Sequence, residues 1–110
     1  MDENEHLSPL ELKKRLEGPR DFILLDVRQL WENQKVALPD SVLFPLNQLA
    51  IEKPDFPEDH EIIAYCHHGV RSKTAVELLK RYGFKNVKHL AGGIDLYSQT
   101  ADSSVPRYFK

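Results

Sequence analysis

The sequence has very little cysteine: Cys66 is the one cysteine in 110 residues. One thiol closes no internal disulfide, so nothing points to an oxidising compartment. Long apolar runs are missing as well. The longest, residues 22–25 and 62–66, fall far short of the ~20 residues a membrane helix needs. The opening residues, Met1 to His6, are acidic and lack the apolar stretch behind a basic start that marks a signal peptide. There is no basic excess: 15 Lys and Arg against 17 Asp and Glu give a net charge of −2, removing any general case for nucleic acid. Repeats, low-complexity tracts and linkers are absent too. These absences lead us to expect a cytoplasmic protein with no membrane or nucleic-acid partner. The content that is present, 41% hydrophobic and 29% charged, is that of a globular domain able to bury well over half of its unfolded surface. We expect a single domain over residues 1–110, with residues 1–6 an N-terminal tail and residues 101–110 a C-terminal tail wrapping the surface.

Strands alternate with helices along the chain. Ser8, Pro9 and Glu11 form a helix start with a capping box, and Gly18-Pro19 ends it. Residues 22–27 and 61–66 are near-continuous apolar runs, the pattern of parallel strands buried on both faces. Residues 41–44 and 86–90 read as further strands. Helical turns are expected at 30–34, placing Trp31 against the core, and at 46–51. An amphipathic helix spans 72–82 and ends at Gly83. A last helix follows Gly92-Gly93. Phe44 and Phe84 read as core. The alternation implies an α/β fold with a central parallel sheet of about five strands, flanked by helices on both faces.

One segment carries chemistry. Cys66-His67-His68-Gly69-Val70-Arg71-Ser72 joins a buried strand to an amphipathic helix, the sheet edge where open α/β folds bind ligands. A tight loop there can turn backbone N–H groups inward as an anion nest. The helix start adds partial positive charge, and Gly69 allows close approach of the backbone. Arg71 and Lys73 add formal charge. Such surroundings favour a thiolate nucleophile over a buried, inert cysteine.

This loop resembles the active-site loop of single-domain rhodaneses. Asp26-Val27-Arg28 with Glu32 is similar to that family's Asp-Val-Arg-x-x-x-Glu motif, and Leu90-Ala91-Gly92-Gly93 to its Leu-x-Gly-Gly motif. The three occur in the family's order, and the resemblance runs from about Leu7 to Tyr108. It implies a rhodanese-like fold and a sulfurtransferase in which Cys66 takes sulfane sulfur from thiosulfate or a persulfide donor and passes it to a thiophilic acceptor. It implies no cofactor. His67, His68, Gly69, Val70, Arg71 and Ser72 would bind the substrate around catalytic Cys66. Two departures stand out: Val36-Ala37-Leu38-Pro39-Asp40-Ser41 replaces a Gly-His-Ile-x-Gly-Ala segment, and Tyr97 replaces a common tryptophan. The ending, residues 102–108, looks like tails on rhodanese domains attached to sulfur-carrier-activating enzymes. A protein sulfur acceptor or a cysteine desulfurase is therefore a possible partner.

Other residues are given plainer roles. Asp26, Arg28 and Glu32 are expected to support the loops, with Arg28 and Glu32 as partners. Arg71 matches the geometry of an oxyanion such as sulfite. Cys66, His67 and His68 are adjacent on a tight turn and cannot readily share one tetrahedral ion, so no metal is expected. His6, His60 and His89 lack a partner pattern and read as surface or packing residues. Two rival functions are an inactive rhodanese-like binding module and a phosphatase or arsenate reductase of the same fold. The latter need a wider loop, with five residues between cysteine and arginine where this chain has four.

Overall fold

The computed structural model describes residues 5–108, so the outermost parts of both expected tails lie outside the described residues. Ten elements follow in order: β1 (His6–Leu7), α1 (Pro9–Leu16), β2 (Phe22–Asp26), α2 (Leu30–Lys35), β3 (Val42–Leu43), α3 (Leu46–Leu49), β4 (Glu61–Tyr65), α4 (Val70–Arg81), β5 (Val87–Leu90) and α5 (Gly93–Thr100). The five strands form one parallel sheet in the order β1-β5-β4-β2-β3.

Side-chain alternation along the central strands builds two cores. Ile62, Ala64 and Cys66 join Leu25, Val27 and Val87 on one face, covered by Leu49 of α3 and by Ala75, Val76 and Leu79 of α4. Ile63 and Tyr65 face the other way with Phe22 and Leu24, under Leu12 of α1 and Ile94 and Tyr97 of α5. The apolar runs at 22–27 and 61–66 are thus continuous because both faces are dry. The capping box of α1 is formed in full: Ser8 Oγ accepts the Glu11 N–H at 3.1 Å and Glu11 accepts the Ser8 N–H at 2.9 Å.

Several local expectations change. His6 pairs with His89 in a two-residue edge strand where the sequence suggested tail. Helix α4 starts at Val70, two residues early, so Val70 and Arg71 occupy its first turn. Trp31 is 45% exposed instead of core, because α2 turns its buried side, Glu32, inward. Phe84 is buried, and Phe44 packs against the same core. Where the family segment has its second glycine, Asp40 takes the left-handed conformation with φ 57°. Aspartate is among the few non-glycine residues that enter this region readily, so the turn survives the exchange. Among the described residues, no helix is long and apolar enough to cross a membrane.

Candidate active site

Because every strand is parallel, β2, β4 and β5 deliver their carboxyl ends to the same edge. There β4 hands over Cys66, which is 1% exposed. Its Sγ accepts the Gly69 N–H at 3.0 Å and the Ser72 N–H at 3.3 Å, and lies 3.5 Å from Ser72 Oγ. The Ser72 amide is the third of α4, one of those left without a partner inside a helix. Here it points at sulfur, adding the positive end of the helix. Gly69 makes the turn possible with φ +99°.

The β5–α5 junction holds this loop from behind. Ile94 N–H donates to Cys66 O at 2.9 Å, and Asp95 N–H to His67 O at 3.1 Å. A Cβ on Gly93 would lie 2.2 Å from His67 O, which explains physically why glycine occupies that position. The three motifs of the sequence therefore meet at one edge, with Val27 N–H also donating to Tyr65 O at 3.1 Å.

Asp26 and Arg28 are fully buried beneath the edge. Asp26 Oδ1 accepts Arg28 Nε–H at 2.8 Å and its backbone N–H at 3.0 Å, while Oδ2 accepts Arg28 Nη2–H at 2.7 Å. Burial works against the Arg28 charge, but the Asp26 carboxylate outweighs it and raises the guanidinium's pKa. Arg28 also donates to Val36 O at 2.7 Å, fixing the 36–41 segment. Tyr65 hydroxyl, pushed up to about 12 by burial and then by Asp26, accepts the Leu38 N–H and contacts Ser41 Oγ.

The expected Arg28–Glu32 pair does not form. Glu32 instead accepts two bonds from Arg71, at 2.6 and 2.8 Å, and a third from Tyr108 hydroxyl at 2.6 Å. Burial opposes the Glu32 charge, but Arg71 and Tyr108 win and hold its pKa down at about 2. The pairing gives Arg71 a fixed place beside a cleft of about 240 Å³ lined by Val27, Gln29, Leu46, Asn47 and Arg71. A charged Cys66 also favours the guanidinium.

His67 is buried and stacks on His68, their centroids 3.9 Å apart, with the Tyr108 ring 4.5 Å away. Burial, then His68, lowers its pKa below the ordinary histidine value. The His68 side chain is 64% exposed, and Val70 reaches solvent. His67, His68 and Asp95 bring three donor atoms within 4.8 Å of one another. Arg107 donates to both Asp95 oxygens, at 2.7 and 3.0 Å. Arg107, Asp95 and the two imidazoles thus form one ion-pair cluster beside the sulfur loop.

Two participants escaped the sequence. Tyr108 reaches Glu32 across 76 residues. His89 is 1% exposed and joins Ser72 Oγ to His6, with separations of 3.0 and 2.7 Å. A signal for His89 existed: it shares the core face of a buried parallel strand with Val87, and a polar ring at such a position needs partners.

Comparison with known proteins adds a second line. The family model described as "Rhodanese-like domain" matches residues 8–100. A sulfurtransferase of Allochromatium vinosum is 32% identical over 83 residues, covering 76% of this chain and 78% of that protein. An adenylyltransferase and sulfurtransferase of Candida albicans is 29% identical over 98% of this chain, which spans only 26% of that protein. The crystal structure of a rhodanese-related protein from Thermoplasma volcanium superposes with a TM-score of 0.78 at 25% identity, covering 88% of this chain and 93% of that one.

Proposed function

This chain belongs to the rhodanese-like domain family, and from that premise we propose that it transfers sulfane sulfur through a persulfide on Cys66. The observation that carries the reading is the cradle around the sulfur: the Gly69 and Ser72 backbone N–H groups donate to Sγ at 3.0 and 3.3 Å, and Ser72 Oγ lies 3.5 Å away. Such fixed donors stabilise a thiolate or terminal persulfide anion without reorganising. Cys66 thiolate attacks the outer sulfur of thiosulfate. A sulfur–sulfur bond to Cys66 forms as the bond to the sulfonate sulfur breaks, and sulfite leaves with that electron pair. A thiophilic acceptor, cyanide or a thiolate, then takes the outer sulfur and returns Cys66 to thiolate, a double displacement.

Arg71 supports the reading by placing a guanidinium beside the cleft, suited to an oxyanion donor. The likeness to the Candida protein favours a protein acceptor of sulfur, since that relative joins a sulfurtransferase to an adenylyltransferase. The decisive test is intact mass after thiosulfate treatment. We expect a gain of one sulfur atom, reversed by cyanide and absent in Cys66→Ala. An unmodified mass, with wild type and variant equally inert toward thiosulfate and cyanide, would establish a non-catalytic binding module instead.

A further inference from the structure

Cys66 is almost fully buried, yet a line of polar atoms leads from its sulfur to the edge of the sheet. Ser72 Oγ lies 3.5 Å from Sγ, His89 Nδ1 lies 3.0 Å from Ser72 Oγ, and His6 Nδ1 lies 2.7 Å from His89 Nε2. Cys66, Ser72 and His89 are buried, and His6 is partly exposed. The parallel pairing of β1 with β5 sets His6 directly opposite His89, so the sheet register itself completes the line. We propose that His89 is a positioning residue that carries the Cys66 proton outward and turns the Ser72 hydroxyl onto the sulfur. The proposal rests on reading Cys66 as the reactive thiol.

The step balances without charging either ring. In the thiol state Cys66 S–H donates to Ser72 Oγ, Ser72 O–H to His89 Nδ1, and His89 Nε2–H to His6 Nδ1. On ionisation the Cys66 S–H bond breaks and its proton goes to Ser72 Oγ. The former Ser72 proton passes to His89 Nδ1, the His89 Nε2 proton passes to His6 Nδ1, and His6 releases its Nε2 proton to water. One proton has left, both histidines are neutral in the other tautomer, and every hydrogen bond in the line points toward the thiolate.

The hydroxyl has a competing acceptor, Gly69 O at 3.2 Å. Once His89 Nδ1–H donates to Ser72 Oγ, the anionic sulfur is the stronger of the two remaining acceptors. The surroundings keep His89 uncharged, as the relay requires. Burial first, then His6 of β1 and Lys73 of α4, push its pKa down to about 4, against a smaller opposite pull from Glu5.

The test reads the thiol itself, so it stands whether or not thiosulfate is the donor. Histidine nitrogen NMR across the pH range of Cys66 ionisation should show His89 changing from the Nε2–H to the Nδ1–H tautomer, and no such change in Cys66→Ala. The rate of Cys66 alkylation by iodoacetamide gives the second readout. In His89→Phe the pH profile of alkylation should move up by roughly one unit, the scale of one hydrogen bond to a charged atom. His89→Asn should reverse most of that shift, because an amide N–H can still donate to Ser72. An unchanged His89 tautomer, a His89→Phe profile matching wild type, or His89→Asn displaced as far as His89→Phe would each overturn the proposal. Failure to form a persulfide with normal values in both readouts would count against the sulfur-transfer reading alone.

Discussion

At the scale of single residues, Glu32 governs how the cationic side of the site is held. It is buried, it bonds Arg71 twice, and its pKa of about 2 lies below the ordinary 4.5. A carboxyl whose folded value is depressed stabilises the fold above its unfolded value and loses that contribution as pH falls through the folded one. Glu32→Gln should therefore be less stable than wild type at neutral pH by on the order of 3 kcal/mol. The difference should close between about pH 4.5 and 2. Urea midpoints of the two proteins at pH 7 and pH 2 measure it, and a gap unchanged by acid would refute the assignment. Sequence alone placed Glu32 near this edge but gave it Arg28 as partner. Spacing four apart suggested a local pair, whereas Arg28 is consumed by Asp26 and the true partner lies 39 residues on. Such choices are settled by three-dimensional competition among charges, which local spacing does not encode.

At the scale of elements, α5 acts as a backstop. Its first turn donates to the carbonyls of Cys66 and His67, and this contact tolerates no side chain at Gly93. In Gly93→Ala the new Cβ would sit 2.2 Å from His67 O, with φ at +69° besides. Backbone strain of this kind costs about 1–3 kcal/mol. Because the carbonyl that must yield belongs to the sulfur loop, persulfide formation should fall about a hundredfold. A variant that unfolds earlier yet keeps wild-type persulfide formation would show that the backstop does not set the loop. This part of the fold was legible: β2, β4, β5, α1 and α4 announce themselves by apolar runs, caps and glycines, all local signals. Strand β1 was not, since a two-residue strand has no period and owes its existence to its pairing with β5. Trp31 failed for a related reason: α2 is six residues long, too short for its apolar face to be read from spacing.

At the scale of the whole molecule, a parallel sheet gathers segments from three distant stretches at one edge, and the tail then closes over them. Tyr108 donates to Glu32, its ring lies 4.5 Å from that of His67, and the Arg28 guanidinium sits 5.3 Å from its ring centre. Burial and then the neighbouring Glu32 raise its pKa to about 12, so the phenol stays a donor throughout the neutral range. If the tail merely lay on the surface, replacing one hydroxyl there would change nothing. If it pins Glu32, which in turn holds Arg71, the loss should spread to the site. Tyr108→Phe keeps the ring and its packing against His67, and removes the hydroxyl that bonds Glu32 and meets Arg28. Stability should drop by about 1–2 kcal/mol, the range for a partly exposed hydrogen bond to a carboxylate. The acid transition assigned to Glu32 should also move to higher pH, because one of the three groups holding its charge has gone, leaving Arg71 and the Gln29 amide. Urea unfolding of Tyr108→Phe at several pH values measures both effects. Wild-type stability with an unmoved acid transition would mean that the tail plays no part in ordering the site.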